Sequence, residues 1–295
     1  MLHIQSVTKR FDGLTAVDNL DFEVHEGDIY GFLGPNGAGK TTTLRMIMGI
    51  LEPDDGEITF SGNPIRNLPV NTFGYLPEER GLYQKQKLLE TIVYFGVLKG
   101  LNKSEAKSRA IKWIERFDLS DYSYKKMQEL SKGNQQKVQL ILTLLHEPKL
   151  VVLDEPFTGL DPVNQLLLKN IIKEKQAEGV TFLFSTHQME QVERLCTNIC
   201  LIDKGRIVLE GELTKIRREF RNEVVTVQFD GVLPKIGIED FLENPSMGVS
   251  TVEGVLRNGT REFINWLNQS VEIHNFSMRP PTLEEIFIET VGEKS

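Results

Sequence analysis

Eight consecutive residues, Gly34-Pro-Asn-Gly-Ala-Gly-Lys-Thr41, constrain this chain more than any other stretch. They follow the apolar run Ile29–Leu33, which reads as a strand, and open the helical pattern Lys40–Gly49. In that setting the glycines let the backbone turn tightly, so that successive N–H groups point inward and wrap phosphate oxygens. The start of the following helix adds a positive dipole. Lys40 is then placed to reach β- and γ-phosphates, and the Thr41 hydroxyl to ligate Mg²⁺. Gly34, Pro35, Asn36, Gly37, Ala38, Gly39 and Thr42 complete the cradle. A chain built around such a turn needs a parallel sheet with helices against it.

The surrounding pattern supplies one. Leu150–Leu153 and Val180–Ser185 are short apolar runs of the kind buried in parallel sheets, and Asn164–Glu178 has helical spacing up to Gly179. Leu2–Val7, Leu20–Val24 and Glu57–Phe60 read as half-exposed strands of a small antiparallel sheet. Residues 81–146 hold no convincing strand; Leu88–Leu98, Lys103–Phe117 and Gln135–Leu145 read as three inserted helices. The fold class expected is α/β: a RecA-like P-loop NTPase core with an antiparallel β subdomain and a helical insert, over residues 1–215. A basic segment, Thr214–Arg221, reads as a solvated helix or linker, with a membrane-surface contact as the other reading. Beyond it, residues 222–295 form a small α+β accessory domain. Its expected order is a strand at Glu223–Phe229, a helix at Ile238–Glu243, strands at Val249–Val252 and Gly254–Arg257, a helix at Arg261–Asn268 and a strand at Val271–Met278. That order resembles a ferredoxin-like unit. A last helix opens at Thr282, with Glu285 three residues on as a capping box.

Composition narrows the function classes. The 295 residues carry 34 basic and 42 acidic side chains, a formal charge of −8, which disfavours a nucleic-acid binder working through a general positive field. No apolar run approaches the ~18 residues that span a bilayer, and the N-terminus lacks a signal-like apolar region. A soluble, intracellular chain is expected. Cys196 and Cys200 share a helical spacing, but two thiols make a poor metal cage, so both read as buried structural cysteines.

A second site complements the first. Leu150-Val-Val-Leu-Asp154-Glu155 ends a buried strand with two carboxylates. Beside a phosphate loop, Asp154 would hold Mg²⁺, and Glu155 would orient and deprotonate an attacking water. Upstream lies Leu130-Ser131-Lys132-Gly133-Asn134-Gln135-Gln136.

This last segment resembles the LSGGQ signature of ABC ATPases, with Lys132 and Asn134 at positions where the family has glycine and glutamine. The resemblance covers about residues 1–215 and implies that Ser131, Gly133 and Asn134 form a second γ-phosphate clamp. It further implies an adenine-stacking aromatic at Phe11, a D-loop at Gly159-Leu160-Asp161 and a switch histidine at His187. In Gly74-Tyr-Leu-Pro-Glu78-Glu-Arg80-Gly-Leu-Tyr83, Glu78 stands where the family's Q-loop has glutamine; its oxygens still suit Mg²⁺. This run, with the C-terminal domain, is similar to ATP-binding subunits of Nat-type sodium-efflux and related ABC exporters.

The function implied is ATP binding and hydrolysis, with Mg²⁺, by a subunit without its own membrane domain. Two copies would close head to tail over two ATPs and power a separate multi-span permease at the cytoplasmic face of the membrane. A homodimer is expected because one chain carries every catalytic element, and a heteromeric partner fits the same sequence. The competing readings are a soluble ABC ATPase acting on DNA or ribosomes, and a nucleotide-binding regulator without turnover. The first is disfavoured by the single cassette, the absence of long coiled coils and the acidic charge. The second is disfavoured by Glu155 and His187.

Overall fold

The computed structural model describes residues 1–78, 81–220, 223–234, 237–257 and 259–292. Glu79 and Arg80 of the Q-loop segment, and Arg221 and Asn222 at the expected domain junction, lie outside them. The chain divides into two compact units, Met1–Glu212 and Leu213–Ser295.

The first unit opens with β1 (Leu2–Phe11), β2 (Leu14–Val24), β3 (Ile29–Leu33), α1 (Lys40–Ile47), β4 (Asp55–Phe60), β5 (Asn63–Pro64) and β6 (Phe73–Leu76). Three helices follow: α2 (Leu88–Leu98), α3 (Lys103–Arg116) and α4 (Lys132–Leu144). The unit closes with β7 (Leu150–Asp154), α5 (Pro162–Ala177), β8 (Thr181–Thr186), α6 (Met189–Leu195), β9 (Asn198–Asp203) and β10 (Arg206–Glu212). An antiparallel sheet has the order β2-β1-β4-β5, and a six-stranded sheet the order β10-β9-β3-β8-β7-β6. In the larger sheet β9, β3, β8, β7 and β6 run parallel, and β10 pairs antiparallel with β9.

Every residue of β3, β7 and β8 is buried, as central parallel strands require. One hydrophobic core joins both sheets. Ile4, Leu20 and Phe22 from the antiparallel sheet meet Phe32, Val152 and Leu183 from the parallel one, and α1 adds Leu44, Met46 and Ile47. Each fully buried side chain of this size contributes roughly 1.5–3 kcal/mol by leaving water. The core therefore clamps α1 and the C-terminal ends of β3 and β7 in register. Topology explains where the phosphate loop and the acidic pair sit: β3, β8 and β7 are adjacent and parallel, so their C-terminal ends open at one edge.

The helical insert is tied back by polar contacts. On α3, Arg116 makes a two-pronged pair with Glu174 of α5, at 2.8 and 2.5 Å, and also stacks on Trp113. Lys99, the C-cap of α2, donates to the carbonyls of Val70 and Phe73 at 2.8 and 3.1 Å. The third helix starts earlier than its apolar spacing predicts, at Lys132, because Ser131 caps it and the first turn is polar.

The second unit contains α7 (Leu213–Glu219), β11 (Val224–Gly231), β12 (Leu242–Met247), β13 (Thr251–Leu256), α8 (Thr260–Leu267), β14 (Val271–Arg279) and α9 (Leu283–Gly292). The sheet is antiparallel with the order β12-β13-β11-β14. Val225, Val227 and Phe229 point into its core with Phe263 and Leu267 of α8, as the alternation on β11 predicts. Two local expectations differ. The helix expected over Ile238–Glu243 is one 3₁₀ turn, Ile238–Asp240, followed by β12. The two short strands expected around Gly254 are one strand, β13. There a Cβ at residue 254 would lie 3.1 Å from the Glu243 carbonyl, so glycine permits the close approach of β12 instead of ending the strand. Helix α9 has its capping box: the Thr282 hydroxyl accepts from Glu285 N at 3.2 Å, and the Glu285 carboxylate accepts from Thr282 N at 2.7 Å.

Candidate functional site

The turn after β3 delivers residues 34–39 to the N-terminus of α1. Gly39 is the helix N-cap with φ 103°, and a Cβ there would meet the Ala16 carbonyl at 2.5 Å, so both conformation and space demand glycine. No side chain caps α1, which leaves its first-turn N–H groups available to an anion. Lys40 is buried, and its Nζ donates to the carbonyls of Gly34 and Pro35 at 2.7 and 3.0 Å. Burial holds the Lys40 pKa below the usual lysine value, against the opposing pull of Glu155, Asp154 and Glu78.

The acidic pair ends β7 opposite this turn. Asp154 is 2% exposed; its Oδ1 accepts from the Ser185 hydroxyl at 2.5 Å, and its Oδ2 has no partner among the described residues. A buried carboxylate oxygen without a protein donor is the kind of group a hard cation satisfies. Glu155, 9% exposed, sits in left-handed backbone at φ 49°. Its Oε1 accepts from the His187 backbone N–H at 3.0 Å and meets His187 Nδ1 at 2.8 Å. Its Oε2 accepts from the hydroxyls of Thr186 and Thr158 at 3.2 and 3.4 Å.

These groups share one cleft of about 380 Å³, lined by Ala16, Asn36, Gly37, Gly39, Lys40, Thr41, Thr42, Glu78, Asp154, Glu155, Thr158 and His187. Thr41, Glu78 and Asp154 also border a neighbouring cleft of about 440 Å³, with Arg45 and Tyr75 on its wall. Burial, then the Asp154 charge, raises the Tyr75 pKa, while Arg45 opposes the shift. Gly34, Pro35 and Ala38 belong to the turn without lining the cleft; the first two hold Lys40 through their carbonyls.

Four predicted residues stand elsewhere. Ser131, Gly133 and Asn134 form the exposed and half-exposed first turn of α4, outside the cleft lining. The Ser131 hydroxyl accepts from Asn134 N at 3.2 Å, and nothing lies within 4 Å of a Cβ placed on Gly133. Phe11 ends β1, 42% exposed, with Lys9 Nζ 5.6 Å from its ring centre. The sequence did not assign Thr158, Ser185, Thr186 or Gln136. The first three fix the two carboxylates; Gln136 Nε2 donates to the Pro156 carbonyl at 2.8 Å. Hydroxyls at the end of β8, next to His187, were the available signal for two of them.

Fold and cleft together define a P-loop nucleoside triphosphatase. The family described as "ABC transporter" matches residues 17–158, and the family "ATP-binding protein DrrA1-3-like, C-terminal domain" matches residues 211–291. The chain is 45% identical over 294 residues to the uncharacterized ABC transporter ATP-binding protein YhaQ of Bacillus subtilis (strain 168), covering 99% of each chain. It is 36% identical to the ABC transporter ATP-binding protein NatA of the same organism, over 76% of this chain and 94% of that one. It is also 32% identical to a Nod factor export ATP-binding protein I of Cupriavidus metallidurans, over 100% of this chain and 98% of that one. A solved structure described as an ATP binding subunit of an ABC transporter superposes with a TM-score of 0.70 at 32% identity, over 75% of this chain and 93% of that one. The chain belongs to the family of ABC transporter ATP-binding proteins. ATP hydrolysis is the activity of these cassettes. Among the described residues no helix is long and apolar enough to cross a membrane.

Proposed function

We propose that this chain binds and hydrolyses MgATP in the Lys40–Glu155 cleft, and that two copies close head to tail over two nucleotides to drive a separate multi-span permease in the export direction. One observation carries this reading. The cleft gathers the phosphate loop, the metal-type carboxylate and the candidate base, while Ser131 and Gly133 stand in the open outside it. A clamp that a chain does not use on its own nucleotide is available to a second copy.

In this reading Lys40 and the first-turn N–H groups of α1 receive the β- and γ-phosphates. Thr41, Asp154 and Glu78 hold Mg²⁺, which when bound neutralises phosphate charge. Glu155 accepts the proton of the attacking water, and His187 and Thr158 keep its carboxylate oriented. The partner's Ser131, the partner's Gly133 and the partner's Asn134 close over the γ-phosphate. Phe11 stacks on adenine. The permease holds the chain at the cytoplasmic face of the membrane, and the export direction follows the relative whose name includes Nod factor export.

Glu155→Gln tests the sandwich, because it removes the base and leaves the cradle. Size-exclusion chromatography of this variant should show a monomer without nucleotide and a dimer with MgATP. A monomer under both conditions, with the permease present or absent, would sink the sandwich.

A further inference from the structure

The first two turns of α4 hold two neighbouring glutamines with different tasks. Gln135 Nε2 donates to the carbonyls of Met127 and Leu130, at 3.0 and 3.2 Å, and so fixes the segment that leads into Ser131. Gln136 turns inward. It is 5% exposed, and its Nε2 reaches the Pro156 carbonyl at 2.8 Å across 20 residues of sequence. Pro156 directly follows Glu155. Proline has no N–H, so its carbonyl is the one backbone hydrogen-bonding group by which that position can be held.

The path from Ser131 to Glu155 is short and stiff. Ser131 and Gln136 are five residues apart on one helix, about 7.5 Å of rise. The helix is seated on its buried side by Val138, Leu140, Ile141 and Leu144. Its hydrogen-bonded backbone moves as a body, and a buried hydrogen bond in a low-dielectric setting resists being stretched. At the far end, Glu155 is kept in left-handed backbone with both carboxylate oxygens engaged, so a small displacement of Pro156 alters its aim.

We propose that Gln136 is a positioning residue that couples the two nucleotide sites of the closed pair. When α4 of one chain grips the partner's nucleotide, Gln136 passes the displacement to Pro156 and sets Glu155 of its own chain. Occupancy of one site thereby raises turnover at the other. This inference rests on the reading that Ser131 and Gly133 act in trans.

Gln136→Met tests it in the full-length chain, keeping length and burial while removing the donor. MgATP affinity of the single chain and ATP-dependent pairing in the Glu155→Gln background should persist. KM should change little, kcat should fall about tenfold or more, and the Hill coefficient for ATP should drop toward about 1. Wild-type kcat and Hill coefficient in Gln136→Met would overturn the coupling. Failure of Glu155→Gln to pair with Gln136 intact would instead overturn the trans reading beneath it.

A mixed pair gives a second measurement that leaves Gln136 untouched and does not depend on the folding of its variants. A Ser131→Arg chain joined to a Lys40→Ala chain holds one complete site. The α4 helix of the chain that owns this site has no nucleotide to grip. Coupling predicts turnover well below half that of the unmutated pair; turnover at half would overturn it.

Discussion

Ser185→Ala removes the hydrogen bond on which the buried Asp154 depends, together with the weaker 3.3 Å bond that the same hydroxyl accepts from Glu155 N. Ser185 is fully buried at the end of β8, and its hydroxyl is 2.5 Å from Asp154 Oδ1. Because Oδ2 has no partner among the described residues, the alanine variant leaves a buried carboxylate with neither oxygen paired. A hydrogen bond to a charged group is worth about 1.5–3 kcal/mol, and a buried acceptor left unmet costs about as much as the bond it lost. The void left by one hydroxyl adds little, and Glu155 N keeps its bond to the Ser185 carbonyl at 3.1 Å. The expected loss is therefore about 2–3 kcal/mol. At ~2–4 °C per kcal/mol for a unit of this size, melting should fall by roughly 5–10 °C. Urea titration reads it cleanly in a Trp266→Phe background, where Trp113 reports on the first unit alone. MgATP should then stabilise Ser185→Ala more than the parent chain, since a cation at Asp154 supplies the missing counter-charge. A loss below about 0.5 kcal/mol, or equal rescue of both chains by MgATP, would refute the argument.

Three further outcomes are expected. Glu78→Gln should change MgATP affinity little but weaken the dependence of nucleotide binding on Mg²⁺, because it removes one negative charge beside Asp154 and Glu155; affinities measured with and without the metal check this, and an unchanged ratio means Glu78 faces elsewhere. Lys40→Ala should lose nucleotide affinity in the single chain, whereas Ser131→Arg should keep it and lose turnover; equal loss of binding in both would contradict a clamp in trans. In the second unit, hydrogen bonding to Arg279 lowers the Glu285 pKa from its ordinary 4.5 to about 2, aided by the Thr282 N–H. A depressed carboxyl stabilises the fold above its unfolded pKa and ceases to do so as pH falls through the folded value. Stability followed by Trp266 in a Trp113→Phe chain should thus decline between about pH 4.5 and 2, and Arg279→Met should flatten that slope.

The parts of this molecule that sequence reveals are those in which one local pattern serves one purpose. β3, β7 and β8 are centred on short apolar runs because they are buried on both faces, and α2 spans the residues its spacing predicts. β6 was hidden by its length, four residues ending against Pro77. β9 and β10 were hidden by their turn: Lys204 and Gly205 both take positive φ, 47° and 79°, and lysine does not advertise that conformation. The 3₁₀ turn at Ile238 displaced an expected helix because the chain must return at once to pair Leu242 with Leu256. The site divides similarly. Residues 34–42, the Asp154–Glu155 pair and His187 lie in short local motifs. Ser185, Thr186 and Gln136 act on partners 20 or more residues away, a relation that exists only after folding.

The backbone at Glu155 places selection for activity against selection for durability. Most non-glycine residues with positive φ in the first unit are short polar types in exposed positions, such as Asp12 and Ser61, whereas Glu155 holds φ 49° while nearly enclosed. Left-handed backbone costs about 1–2 kcal/mol for an ordinary residue and next to nothing for glycine, with asparagine also tolerated. Among the replacements that would relax this position, glycine and asparagine lack the carboxylate assigned to water activation, and aspartate carries it one methylene short. A library of this chain enriched for heat resistance alone should drift toward glycine or asparagine here and accumulate sturdy, idle proteins. The mild strain is kept in place by the grip of His187, Thr186 and Thr158, so the population of catalytically competent sequences is narrower than the population of foldable ones.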